Sequence, residues 1–202
     1  MNKKIIHDAL ILTAFTLILG FILGAVYNIT KGPIDAAEEK TAQTAYKAVF
    51  KDADSFKKHS FNKNKINKQL SKKGYDDVIE DIQEAKDKNG KVIGYVLTVT
   101  AKDGSQGSIT FSVGIKNDGT LNGYSITASG ETPGLGLKAS ENEFSNQFKN
   151  KKVDKLEVVK QKPSQDNEIQ AITGATITSK AVSNGCNAAI ETFKTNLKGG
   201  KA

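Results

Sequence analysis

Near the C-terminal end, Ile172-Thr173-Gly174-Ala175-Thr176-Ile177-Thr178-Ser179-Lys180 gathers three threonines and a serine around one glycine and one alanine, directly ahead of a helical pattern. Hydroxyls in that position suit a phosphate, because the first N–H groups of a helix have no intrahelical acceptor and attract a multiply charged anion. Gly174 permits a backbone shape or a close approach that a side chain would forbid, and Ala175 keeps the surroundings narrow. Thr176 is the hydroxyl best placed between the turn and the helix, Thr178 and Ser179 add donors, and Lys180 adds positive charge or simply extends into solvent. Read from the residues alone, the stretch is either an anion site or a threonine-rich turn with a capping hydroxyl.

A second loop, Gly130-Glu131-Thr132-Pro133-Gly134-Leu135-Gly136, is rich in turn-forming residues. With Leu137, Lys138 and Ala139 it matches the G-x-G-x-x-A pattern of a dinucleotide fold. Antiparallel-looking flanking strands, Pro133 at the entry to the turn and the lack of room for a second βαβ unit argue against that fold. Glu131 and Thr132 are suited to ordering the loop or orienting a polar ring. The chain has no H-E-x-x-H, G-x-S-x-G or Walker A sequence.

The elements that must hold these two loops are legible as patterns. Residues 92–100, 108–115 and 121–128 are rich in β-branched residues or alternate apolar with polar, and Asn117-Asp118-Gly119 is a tight turn. No crossover helix fits between them, so an antiparallel sheet is predicted. Residues 75–86 read as a strand or a short helix, 140–148 as a short helix and 155–159 as another strand. From Ser179 to Leu197, Val182, Cys186, Ala189, Ile190, Phe193 and Leu197 repeat at helical spacing, with Thr178 or Ser179 available to cap.

Upstream, residues 9–30 carry no charge and are nearly all apolar, close to the roughly 20 residues a helix needs to cross a bilayer. The run is longer than a signal-peptide core and no small-x-small cleavage site follows it. Lys3 and Lys4 before the span, against Lys31 after it, predict a cytoplasmic N-terminus and an extracytoplasmic domain. Pro33 is read as the exit from the span. Residues 35–50 are read as an alanine-rich helix that continues the anchor as a stalk or packs on the domain. The fold class predicted is α+β: one N-terminal transmembrane helix followed by a small, mainly antiparallel mixed domain.

Composition narrows the chemistry further. One cysteine, Cys186, excludes an internal disulfide and a cysteine-ligated iron–sulfur cluster, and its helical apolar setting reads as a buried thiol. His7 and His59 are too far apart in sequence and setting for a histidine-built metal or haem site. The net charge of +7 is concentrated in residues 51–73, which hold eight lysines against two aspartates and lose helical or strand periodicity. Arginine is absent from the chain, which argues against nucleic-acid reading and leaves a solvated face or one near anionic lipid.

Thr173-Gly174-Ala175-Thr176 and Glu131-Thr132-Pro133-Gly134-Leu135-Gly136, in this order behind a single span, resemble the covalent FMN-binding domain family, and more closely the RnfG family of ion-translocating oxidoreductase subunits. The C-type member of the sodium-pumping NADH:quinone oxidoreductase is similar. The resemblance implies FMN joined through its phosphate to Thr176 by a flavin transferase that takes FMN from FAD. It implies cofactor contacts from Glu131, Thr132, Gly134, Leu135, Gly136, Gly174, Ala175, Ile177, Thr178, Ser179 and Lys180. Gln170 stands where the family pattern has aspartate, and Ser129 where many relatives have histidine. The implied role is that of an electron carrier within a cell-membrane complex that couples ferredoxin:NAD+ electron transfer to Na+ or H+ movement. Its implied partners are the A, B, C, D and E types of Rnf protein, above all the multispanning ones. The alternatives are an FMN-domain carrier for another membrane reductase and an anchored structural domain without cofactor. On this reading residues 1–30 are the cytoplasmic N-terminus and span, 31–50 a juxtamembrane helix or stalk, 51–88 a lysine-rich variable region, 89–198 the FMN-binding domain and 199–202 a flexible tail.

Overall fold

The computed structural model describes residues 3–198, so the tail at 199–202 lies outside the described residues. The chain divides into two units, Met1–Thr41 and Ala42–Ala202. The first is built from helix α1 (Lys3–Val49), which is long and apolar enough to cross a membrane and has none of its most apolar stretch buried. Leu10, Leu12, Phe15, Leu17, Leu19, Phe21 and Leu23 are all exposed along it, as expected of side chains whose solvent is lipid. Pro33 does not interrupt α1, which continues through it into the alanine-rich residues that the stalk reading makes helical. One missing N–H is tolerated because the alanine-, glutamate- and lysine-rich turns that follow propagate a helix well.

In the second unit, β1 (Ser55–Lys58), β2 (Val78–Lys86), β3 (Val92–Ala101), β4 (Ile109–Lys116) and β5 (Leu121–Ser129) form an antiparallel sheet in sequence order. Three of these are the predicted strands, and residues 78–86 resolve to a strand. Alternation sorts the side chains to two faces. Leu97, Val99, Phe111, Val113 and Ile115 join Val182, Cys186, Ala189, Ile190 and Phe193 in the main core, the first four of these from helix α4 (Thr176–Thr192) and Phe193 from just beyond it. Gly185 is what allows this close approach, since a Cβ there would lie 2.5 Å from Phe111 Cζ. On the opposite face Val96 and Ala85 pack with Tyr46, Val49, Phe50 and Ala53.

The lysine-rich stretch is more ordered than its pattern suggests. Residues 63–72 form helix α2 (Lys63–Lys72), capped by Asn62, whose side chain accepts from Lys65 N. Only Ile66 and Leu70 of α2 are buried. Two apolar contacts in ten residues are too few to stand out as periodicity. Asn67 supplies what the apolar face lacks: its Oδ1 accepts from Ile79 N at 2.9 Å and its Nδ2 donates to Ile79 O at 3.2 Å.

After β5 comes a 3-10 turn (Gly136–Ser140), and the predicted single helix at 140–148 is then two short pieces, helix α3 (Asn142–Ser145) and a second 3-10 turn (Asn146–Phe148). Phe144 and Phe148 are buried from it. Strands β6 (Glu157–Val159) and β7 (Glu168–Gln170) pair in parallel and lead into α4, which is followed by a π turn (Phe193–Leu197).

Candidate functional site

Helix α4 begins at Thr176, three residues earlier than the expected start at Ser179, and this changes the roles of its hydroxyls. The cap position falls to Ala175, which has no side chain able to cap. The first helical bond is Ser179 N to Ala175 O at 3.0 Å, so the N–H groups of Thr176, Ile177 and Thr178 have no backbone acceptor. Three unpaired donors at the positive end of a 17-residue helix have the chemistry to suit an anion.

Thr178 and Ser179, expected as caps, are instead committed inward. Ser179 Oγ donates to Ala175 O at 2.9 Å and accepts from Ile172 N at 3.0 Å, which braces the turn from inside. Thr178 Oγ1 donates to Glu131 Oε2 at 2.9 Å, and both residues are buried. Among the described residues, the hydroxyls of Thr132, Thr173 and Thr176 have no such commitment. Thr176 alone of these three sits inside the helix's first turn, half-buried beside exposed Ile177 and Lys180.

The structure brings the two sequence motifs together. Gly174 has φ +80, a conformation that favours glycine, and a Cβ there would come within 3.2 Å of Leu135 Cδ2. Gly136 lies against the buried carboxyl: a Cβ there would meet Glu131 Oε2 at 2.2 Å and Thr178 Oγ1 at 2.8 Å. Gly134, at φ +76, turns the exposed loop whose Thr132 O accepts from Leu135 N and Leu137 N. Leu135 and Ile177 are the only exposed large apolar side chains among the described residues of the second unit. Leu135 lies against the turn at Gly174, and Ile177 is exposed in the first turn of α4 that follows it.

Sequence reasoning missed two participants. Gln106, in the glycine-rich turn between β3 and β4, donates its N–H to Glu131 Oε1 at 3.1 Å. Gln147 holds the approach to the turn, accepting from Gln170 N at 2.7 Å and donating to Gln170 O at 3.2 Å. Neither glutamine stands in a motif, so only the fold reveals them. Gln170 itself is exposed. Cys186 is fully buried, and burial pushes its thiol well above the ordinary range, which makes it inert.

A cleft of about 470 Å³ borders the same turn at Ala171, Ile172 and Thr173, with Lys138, Phe144 and Lys162 in its wall. A larger groove of about 840 Å³ runs between His59–Ile66 and Thr195–Leu197. It lies beyond the other end of α4, which runs about 25 Å from Thr176, and takes no part in this site.

Residues 104–191 match the FMN-binding domain family, and residues 1–49 match the RnfG N-terminal region. The G-type component of the proton-translocating ferredoxin:NAD+ oxidoreductase complex of Clostridium ljungdahlii is 41% identical over 191 residues, 94% of this chain and 91% of the relative. The chain belongs to the RnfG family. The corresponding component of the Na+-translocating complex of Acetobacterium woodii is 33% identical over 195 residues, covering 95% of this chain and 93% of the relative. Among solved structures, the C-type component of the Na+-translocating NADH-quinone reductase from Parabacteroides distasonis aligns with a TM-score of 0.48 at 28% identity, over 56% of this chain and 60% of that one. This RnfG-family chain is therefore a membrane protein with an FMN-binding domain. The site fits that cofactor on its own chemistry. Unpaired helix N–H groups and the Thr176 hydroxyl suit a phosphate, and Leu135 and Ile177 suit a flat, largely apolar ring.

Proposed function

We propose that this chain is the electron carrier of a membrane complex that couples ferredoxin:NAD+ electron transfer to Na+ or H+ movement, with FMN esterified to Thr176. The observation that carries this reading is the meeting of the 131–136 loop with the uncapped start of α4, where Thr176 offers a hydroxyl with no competing internal partner. Bound FMN supplies one- and two-electron transfer. The first-turn N–H groups and Lys180 would hold its phosphate. Leu135 and Ile177 would support the ring, and Thr132, Gly134 and Gly136 would shape the loop that meets it. Glu131, Gly174, Ala175, Thr178 and Ser179 hold the platform.

Attachment would join Thr176 Oγ1, the hydroxyl this chain supplies, to the flavin-side phosphorus of FAD as the pyrophosphate bond breaks. AMP leaves and the hydroxyl proton passes to base; a flavin transferase supplies the active site. Orientation follows the lysine bias, with the N-terminus cytoplasmic and the domain outside. A tether there prevents loss of the cofactor to a space without a flavin pool. Ion movement belongs to multispanning partner proteins of the Rnf type, since one uncharged span offers no pathway.

Coexpression of the full chain with a flavin transferase tests the tether. Denaturing electrophoresis is expected to give a fluorescent band for the wild type and none for Thr176→Val. A band of undiminished intensity in Thr176→Val places the ester elsewhere, and a dark wild type beside an active transferase contradicts the covalent reading.

A further inference from the structure

The Glu131 carboxyl is buried between three segments that are distant in sequence, and both of its oxygens are used. Oε1 accepts from Gln106 N at 3.1 Å, in the 104–107 turn, and Oε2 accepts from Thr178 Oγ1 at 2.9 Å, in the first turn of α4. Its own N–H donates to Ser129 Oγ at 3.2 Å. The slot it fills is cut by two glycines: a Cβ at Gly104 would lie 2.9 Å from Oε1, and one at Gly136 would lie 2.2 Å from Oε2. No cation pairs with it among the described residues. A carboxyl buried without a cation, with each oxygen bonded to a different segment, is suited to fastening segments together.

We propose that Glu131 is a positioning residue that clamps the 104–107 turn, the 131–136 loop and the start of α4 into one platform, fixing where the Thr176 hydroxyl stands relative to the Leu135 and Ile177 surface. The proposal deepens the flavin reading and rests on it for its functional consequence, while the clamp can be tested without flavin. Thr178 shares the first turn of α4 with the acceptor hydroxyl, so releasing it frees the segment that carries Thr176. Gln106 holds the other side, and its release lets the 131–136 loop lift.

The test uses the full-length chain in detergent, with Glu131→Ala, Glu131→Gln and Thr178→Val. In flavin-free protein, amide hydrogen exchange at 104–107, 132–136 and 174–178 is expected to rise together by about tenfold in Glu131→Ala, with β3 to β5 unchanged. With the transferase present, flavin per chain falls, and any attached flavin loses fluorescence anisotropy and visible circular dichroism. Glu131→Gln restores all of these readouts, because an amide oriented with its oxygen toward Gln106 N–H keeps that acceptor, and its NH2 then faces Thr178, whose hydroxyl can turn to accept from it. Should Glu131→Ala fail to fold, Thr178→Val decides with the same readouts. In Glu131→Ala, exchange that rises in one segment only, or a Glu131→Gln chain as loose as Glu131→Ala, overturns the clamp; in Thr178→Val the rise is expected at 174–178, and no rise there overturns it. A wild type that never takes flavin sinks the flavin reading alone, since the exchange measurements stand without it.

Discussion

Asp77, just ahead of β2, has a carboxyl pushed up from 3.8 to about 6, chiefly by burial and further by Asp103 and Asp76. The folded chain thus binds this proton more tightly than the unfolded one. The stabilisation is complete below about pH 4 and is lost as pH rises through about 6. Asp77→Asn is expected to raise stability by about 1–2 kcal/mol near pH 7.5 and to change it little near pH 4, read from urea melts at both pH values. An equal change at the two pH values would contradict a titrating origin. The same scale shows what a motif conveys. Thr176, Gly174 and Gly136 stand out in the sequence because their types are unusual in that order. The Thr178–Glu131 bond spans 47 positions and has no local signature. Capping logic assigned Thr178 and Ser179 outward roles because it could not see the carboxyl and the carbonyl that claim them.

Strands β3 to β5 and helix α4 were legible because each buries one continuous apolar face, which writes a period into the chain. Elements held by side-chain amides were not. Asn67 on Ile79, Gln147 on Gln170 and Asn187 on Leu156 each bond both the N–H and the C=O of one distant residue, standing in for a missing strand. That explains why α2 looked like a solvated lysine run and why β7 could not be placed. Asn187 is the buried one of the three, accepting from Leu156 N at 2.7 Å and donating to Leu156 O at 2.9 Å. Asn187→Leu strands both groups in the core and is expected to cost about 2–4 kcal/mol. Thermal melting of the detergent-solubilised chain checks this, and a shift indistinguishable from zero would mean that water replaces the amide.

At the scale of the molecule, the chain joins an apolar span with no buried face to a domain whose exposed large apolar side chains, among the described residues, are Leu135 and Ile177, by the uncapped start of α4. The span and the α+β class were readable from hydropathy and alternation. A helix continuing the anchor as a stalk was one of two readings of residues 35–50, and α1 runs through Pro33 because the turns that follow outweigh a local penalty of about 3 kcal/mol. This division of labour matches a tethered carrier, in which the span keeps the domain at the membrane and the platform presents one redox group. The most direct test is intact-mass analysis with peptide mapping of the full chain purified from its native membrane. The account predicts a mass increase of one FMN less one water, confined to the peptide containing Thr176; an unmodified polypeptide, or the same increment on a peptide lacking Thr176, would contradict it.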